Sequence, residues 1–139
     1  MKNPKEQMEF ENWDSFIKHL KGRDECSVYL SGSISAIGSA EAFKKFEKFR
    51  HLFVDEDICA SSTFSQLHPS RRKKIYYIRH GIKTMIDKDA VIILGDNTNS
   101  KGSKIEENLA TDLGMPVYQI TFPSLDEIEI NKLTIKQIN

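Results

Sequence analysis

The fold is indicated most clearly by residues 90–117, AVIILGDNTNSKGSKIEENLATDLGMPV. Its first five residues are apolar, which predicts a buried parallel strand, and a helix pattern follows at about residues 101–113. A second apolar run begins after Pro116. The loop between strand and helix is polar and contains Gly95, Asp96, Asn97, Asn99, Ser100 and Gly102. Because open α/β sheets bind small molecules at the carboxyl ends of their strands, this unit predicts both a fold and a site.

The rest of the chain continues this alternation of strands and helices. Further strands are predicted at residues 26–30, 57–63 and 117–122, and Ser39 is a plausible N-cap for a second helix. Pro69 and Ser70 open a helix that runs to about Ile86. The tail, residues 123–139, is compatible with a short helix, an edge strand or both. The order predicts one domain over residues 1–139, a three-layer flavodoxin/Rossmann-like α/β fold with a mainly parallel sheet of four or five strands.

Helical spacing of apolar residues identifies the candidate core. Residues 6–21 form the first predicted helix, which ends near Gly22 and is expected to cap the sheet or pack against a second subunit. The predicted core positions of the three helices that precede residue 90 are Phe10, Trp13, Phe16, Ile17 and Leu20, then Ala42, Phe43, Phe46 and Phe49, then Ile75, Tyr76, Ile82 and Ile86.

Composition excludes several classes of protein. Lys plus Arg and Asp plus Glu both number 20, so the net charge is near zero, which argues against a general nucleic-acid binder. The basic run at residues 71–74 is interpreted as a solvated helix face rather than a phosphate site. No apolar run resembles a signal peptide or a membrane span, so we expect a soluble, cytoplasmic protein with no membrane partner. Cys26 and Cys59 are expected to be buried and reduced, and the histidine spacing predicts no metal site.

Two loops are expected to meet across the switch point of the sheet. The first contains Gly32, Ser33 and Ser35, whose amides and hydroxyls suit a phosphate. The second is the polar loop of residues 95–102, with Glu106 one turn into the following helix. A carboxylate there can act as nucleophile, base or acceptor for a sugar hydroxyl, or it can simply favour the helix dipole. Helix-dipole stabilisation is the main interpretation of Glu107.

Two motifs in these loops resemble those of the nucleoside 2-deoxyribosyltransferase superfamily, and particularly its 2′-deoxynucleoside 5′-monophosphate N-glycosidases. Residues 29–34, YLSGSI, resemble the family's Y-x-x-G-S-I. Residues 100–117 resemble its S-x-G-x-x-x-E-x-x-x-A-x-x-x-G-x-P-[VI]. The two occur in the expected order, separation and strand-loop-helix context.

The resemblance implies a role for each matching position. Glu106 matches the glutamate that attacks the anomeric carbon, and Tyr29 matches the tyrosine that orients it. It also implies a nucleotide or nucleoside substrate, no cofactor, and a homodimer or larger assembly. The positions that match or flank its phosphate contacts are Gly32, Ser33, Ile34, Ser35, Ser100 and Gly102.

The chain departs from the family's pattern at the expected general acid. Monophosphate N-glycosidases usually carry an aspartate in the helix before the third strand, and Gly81 occupies that position here. Ser35 stands where that branch has an arginine. Asp96 and His80 are the candidate substitutes, since transferase members place an aspartate just after this strand and histidine titrates near neutrality. Without an acid, departure of the base is expected to slow by roughly two to four powers of ten.

Three functions follow from these residues. The first is a nucleotide N-glycosidase or deoxyribosyltransferase-like enzyme, with Glu106, Tyr29 and Asp96 as its catalytic residues. The second is a non-catalytic protein of the same fold that binds a nucleotide or a nucleotide-derived signal. The third is an interaction protein whose ancestral site is idle. The motif residues place the enzyme slightly ahead of the binder.

Overall fold

The computed structural model describes residues 8–34, 38–65, 74–124 and 128–139. These segments contain six strands, four α-helices and one short 3-10 helix, Ile130–Lys132. The strands are β1 (Met8–Phe10), β2 (Ser27–Ser31), β3 (Cys59–Ser62), β4 (Ala90–Leu94), β5 (Val117–Thr121) and β6 (Thr134–Gln137). The helices are α1 (Trp13–Gly22), α2 (Ser39–Val54), α3 (Lys74–Met85) and α4 (Lys101–Asp112).

The six strands form one mostly parallel, mixed sheet in the order β1-β6-β5-β4-β2-β3. The segment β3-β2-β4-β5 is parallel throughout, as predicted for strands joined by helical crossovers. β6 then pairs antiparallel with β5, and β1 pairs antiparallel with β6. With six strands the sheet is larger than the four or five predicted, and its two antiparallel pairings make it mixed.

Successive residues of the strands enter two separate cores, one on each face of the sheet. Val28 and Leu30 pack in the larger core, which also contains the buried faces of α1 and α2. Tyr29 points the opposite way, into a smaller core with Met85 of α3 and Ala110 of α4. This alternation follows from the two-residue period of a strand. Helices therefore cover both faces, which agrees with the predicted three-layer α/β domain.

The first helix starts later than predicted, and the residues before it form a strand. The expected helix over residues 6–21 begins only at Trp13, because the Asn12 side chain accepts a hydrogen bond from the Ser15 amide (2.8 Å) and caps it there. Met8–Phe10 instead form β1, and Phe10 reaches the ring of Phe16 from that strand, with 5.2 Å between centroids. The other four predicted core residues of α1 are buried, and Gly22 ends the helix.

Several predicted core positions are exposed. Phe43, Ile75 and Ile86 are 47%, 55% and 53% exposed, and Met85 provides the fully buried contact of α3 instead. Both cysteines are exposed, which contradicts their expected burial. α2 begins at Ser39 itself, with Gly38 at the N-cap, where its φ of 88° suits glycine.

The tail, residues 123–139, agrees only in part with its prediction. The tail forms both a 3-10 helix and a strand, but that strand, β6, lies between β5 and β1 rather than at an edge. The predictions for Pro69, Ser70 and residues 71–73 of the basic run lie outside the described residues. Within the described segments, no helix is both long enough and apolar enough to cross a bilayer.

Candidate functional site

The site lies at the carboxyl ends of β2 and β4, which are neighbours in the sheet although β3 comes between them in the chain. The crossovers from these two strands run in opposite directions, to β3 and to β5. Loops that leave such a pair of strands diverge and open a crevice, where α/β proteins bind ligands. β2 contributes Tyr29, Ser31 and Gly32, and the helix that follows β4 contributes Glu106.

The carboxylate of Glu106 is buried and anchored at both oxygens. The Tyr29 hydroxyl donates to Oε2 (2.5 Å), and the Ser31 hydroxyl donates to Oε1 (2.7 Å). Glu106 is only 5% exposed and Tyr29 only 1%. Since both donors belong to β2, which is paired with β3 on one side and β4 on the other, the carboxylate has a fixed orientation. Such short bonds to an ionised group are the stronger kind of hydrogen bond.

Burial determines the acidity of this pair. Loss of solvent raises the pKa of Glu106 to about 7, although the bonds from Tyr29 and Ser31 act in the opposite direction. Burial, together with the nearby carboxylate, raises the pKa of the Tyr29 phenol well above its usual value. Glu106 therefore populates both protonation states near neutral pH, while Tyr29 remains a hydrogen-bond donor.

A second layer of polar groups lies behind the carboxylate. The hydroxyls of Ser31 and Ser103 are 2.7 Å apart, and the Asn97 amide nitrogen donates to Ser103 Oγ (3.0 Å). The same nitrogen also donates to Oε1 of Glu107 (3.0 Å), which accepts from Lys104 as well (3.3 Å). Ser103 and Asn97 are 2% and 5% exposed. The sequence placed Asn97 in the polar loop of the predicted site but gave no specific role to Ser31, Ser103 or Asn97, because only three-dimensional contacts connect them to Glu106.

A cavity of about 320 Å³ opens in front of Glu106. This volume is within the range of small-molecule sites. Backbone and hydroxyl groups of the β2 loop and of the α4 N-terminus form its polar wall, and apolar side chains from α2 and α3 form the other. Its lining residues are Tyr29, Leu30, Ser31, Gly32, Ile34, Phe46, Thr63, Tyr77, Ile78, Ser100, Lys101, Gly102, Ser103 and Glu106.

The structure brings most of the predicted binding residues together in this cavity. Gly32, Ile34, Ser100 and Gly102 line it together with Glu106 and Tyr29. Ser100 also caps α4, where its hydroxyl accepts from the Ser103 amide (3.3 Å). Ser33 lies beside the cavity rather than in its lining, and Ser35 lies outside the described residues.

The two candidate substitutes for the general acid lie away from the cavity lining. Asp96 is exposed and accepts from the amide and the hydroxyl of Thr98 (2.9 and 2.6 Å), which lowers the pKa of its carboxyl. His80 pairs its Nε2 with the carbonyl of Ser65 (2.5 Å) and does not line the cavity. Glu106 is the only carboxylate among the described residues that line the cavity.

Lys45 on α2 is a buried cation that the sequence did not single out. It is 5% exposed, and its Nζ donates to the carbonyls of Ser33 (3.3 Å) and Leu94 (3.5 Å). The ammonium therefore joins the loop after β2 to the end of β4. Burial lowers the pKa of Lys45 to about 8. A lysine amid phenylalanines in a helix pattern is expected to extend to solvent, so only the fold reveals this contact.

No metal centre was found in the part of the chain that the structure describes, where His, Cys, Asp and Glu form no group of three or more suited to an ion.

The fold and the site define an α/β protein with a cavity of small-molecule size at a topological switch point. Residues 26–119 match the model of the family DUF4406, a domain of unknown function, and the chain belongs to that family. The search of curated proteins and the search of solved structures each found no match.

Proposed function

We propose that this protein cleaves the N-glycosidic bond of a (deoxy)nucleoside 5′-monophosphate, with Glu106 as the nucleophile. The observation that carries the proposal is the buried carboxylate of Glu106, held at both oxygens by Tyr29 and Ser31 at the wall of a ligand-sized cavity. The motif resemblance to nucleoside 2-deoxyribosyltransferases supports the same assignment, residue by residue.

The reaction needs a carboxylate in this setting. An oxygen lone pair of Glu106 attacks the anomeric carbon, the C1′–N bond breaks, and the departing base keeps the electron pair and takes a proton from water. Water then attacks the glycosyl ester, which releases the sugar phosphate and a proton and restores the carboxylate. Positive charge develops on the sugar before each bond forms, and a fixed anion stabilises it.

The polar wall of the cavity suits the phosphate. α4 begins there, and the first amides of a helix have no partner within it, so they attract an anion. Ser100 and Gly102 flank this end, and Lys101 between them adds a positive charge to the cavity lining. Glu106 lies about one turn beyond Gly102 on α4, so the proposed phosphate site and the proposed nucleophile belong to the same helix.

Nucleotide binding without turnover is the second candidate function. It is favoured by one observation: the described lining of the cavity contains no second carboxylate to protonate the leaving base. We also propose a cytoplasmic location. The resemblance implies a homodimer or larger assembly, which light scattering on the purified protein measures.

Chromatography of a panel of deoxynucleoside and ribonucleoside monophosphates, incubated with purified protein, tests the proposal. Release of a free base by the wild type, and loss of that release in Glu106→Gln, is the expected result. Binding by calorimetry without any release would instead establish the second function. Equal affinity for a nucleoside and its 5′-monophosphate would contradict the phosphate site at Ser100 and Gly102.

A further inference from the structure

The polar groups behind Glu106 form a chain of hydrogen bonds with a single direction. The Ser31 hydroxyl hydrogen is used on Oε1 of the carboxylate, so Ser31 Oγ can only accept from Ser103. The Ser103 hydrogen is then used in turn, and its oxygen accepts from the amide nitrogen of Asn97. Every donor therefore points toward the carboxylate.

Glu107 fixes the start of this chain. An Asn side chain can present either its nitrogen or its oxygen, and the hydrogen-bond partners decide which. The Glu107 carboxylate only accepts, and it lies 3.0 Å from the same Asn97 atom that contacts Ser103. That atom must be the nitrogen. Lys104 Nζ donates to the same Glu107 oxygen, at 3.3 Å.

A chain of hydrogen bonds that runs the other way, from Oε1 of Glu106 toward Asn97, has no acceptor at its end. If Glu106 carried its proton on Oε1, it would donate to Ser31, and Ser31 would have to donate to Ser103. The Ser103 hydrogen would then point at an amide nitrogen, which has no lone pair to accept it. We propose that Asn97 is a positioning residue that acts through two serine hydroxyls to stabilise the ionised form of Glu106. Its bearing on catalysis rests on the proposed function, but the relay itself does not.

Other polar and charged groups lie on the elements packed around the carboxylate. Tyr29 of β2 donates to the other oxygen, Tyr77 of α3 and Lys101 of α4 line the same cavity, and His80 lies next to Gly81 on α3. None of these four belongs to the Asn97 relay. A test therefore has to remove the relay alone and leave them in place.

Carbon-13 NMR of the glutamate carboxyls, recorded against pH without ligand, measures the titration of Glu106, and Glu106→Gln identifies its signal. Ser31→Ala is expected to raise the midpoint by about one pH unit, since it removes a hydrogen bond to the ionised form. Asn97→Leu acts at the far end of the chain and is expected to raise it by about half a unit. The matched control is Asn108→Leu, an exposed asparagine on α4, which is expected to leave the midpoint unchanged.

A double variant separates a relay from a general loss of packing. In the Ser31→Ala background the relay is already cut, so adding Asn97→Leu is expected to move the midpoint no further. Ser103→Ala, which removes a single oxygen, replaces Asn97→Leu if that variant does not fold. An unchanged or lowered midpoint in Asn97→Leu, or an equal shift in both backgrounds, would overturn the proposal. Because no substrate is present, absence of base release would refute the enzyme without affecting this result.

Discussion

The backbone of Gly81 on α3 lies directly against the carboxylate of Glu106 on α4. A Cβ atom added to Gly81 would approach both Glu106 Oε2 and the Tyr29 hydroxyl closer than 3.0 Å, a distance that real Cβ atoms do not show. α3 therefore covers the pair only because position 81 has no side chain. The resemblance to monophosphate N-glycosidases predicts an aspartate at this position, which does face the carboxylate, but here the carboxylate occupies that space.

The first prediction concerns this contact. Gly81→Ala is expected to destabilise the protein by about 1–3 kcal/mol, because the new methyl group displaces either α3 or the bond between Tyr29 and Glu106. Denaturant unfolding gives the free energy. The matched control is Gly22→Ala at the end of α1, where no atom lies within 4 Å, and which is expected to be neutral or stabilising by about 0.5–1 kcal/mol. Equal stability of the two variants would refute the steric explanation.

The raised pKa of Glu106 predicts a pH dependence of stability. The folded pKa of about 7 exceeds the usual 4.5, so between these values the folded state binds more protons than the unfolded state. The stabilising contribution is present below about pH 4.5 and is lost as the pH rises to about 7. Relative to Glu106→Gln, the wild type is expected to lose on the order of 2–3 kcal/mol across that window. Urea unfolding of both proteins from pH 4.5 to 8 measures this difference, and a constant difference contradicts it.

Tyr29→Phe is predicted to shift the pH profile of base release. Loss of the donor to Oε2 raises the pKa of Glu106 further, so less of the carboxylate is ionised at a given pH. The acidic limb of the rate profile is expected to move up by about one pH unit, with most activity regained at high pH. Tyr118→Phe makes the same exchange at a phenol that bonds Glu25 instead, and serves as the control. A uniform loss of rate at every pH would argue for a different role of Tyr29.

The lowered pKa of Lys45 predicts that stability rises with pH in the alkaline range, opposite to the trend predicted for Glu106. Its folded pKa of about 8 is below the usual 10.5, so the unfolded state binds more protons between these values. The contribution to stability is present above about pH 10.5 and is lost as the pH falls through 8. The wild type is therefore expected to gain stability relative to Lys45→Met as the pH rises from 8 to 10. Lys48→Met, an exposed lysine on the same helix, is the control, and parallel unfolding curves for both variants would contradict the prediction.

Most of the parallel sheet could be predicted from the sequence, because its strands have strong local signals. Ala90–Leu94 is continuously apolar and is buried at every position. β1 could not be predicted in this way. Met8–Phe10 continue the helical spacing of α1, and only pairing with β6, more than a hundred residues away, makes them a strand. Tertiary pairing overrides a local pattern in such segments.

The residues of the candidate site also fall into those that the sequence identified and those that only the structure shows. Glu106, Tyr29 and the glycines near the cavity were identified because their spacing follows a motif. Asn97 and Lys45 were not, because each acts through a contact between elements that no local spacing encodes. Gly81 was noted only as a missing acid, whereas its contact with Glu106 shows that its lack of a side chain allows the pocket to close.

The pairing of Met8–Phe10 with the strand at residues 134–137 also constrains the order in which the sheet folds during synthesis on the ribosome. Of the six described strands, β1 is made before the other five and has to wait for β6, which is made after them. Meanwhile β2, β3, β4 and β5 can already assemble with their helices, so the cavity can form before the sheet is complete. Until then β5 presents an unpaired edge, and such an edge is where a nascent chain is most exposed to aggregation or to capture by a chaperone.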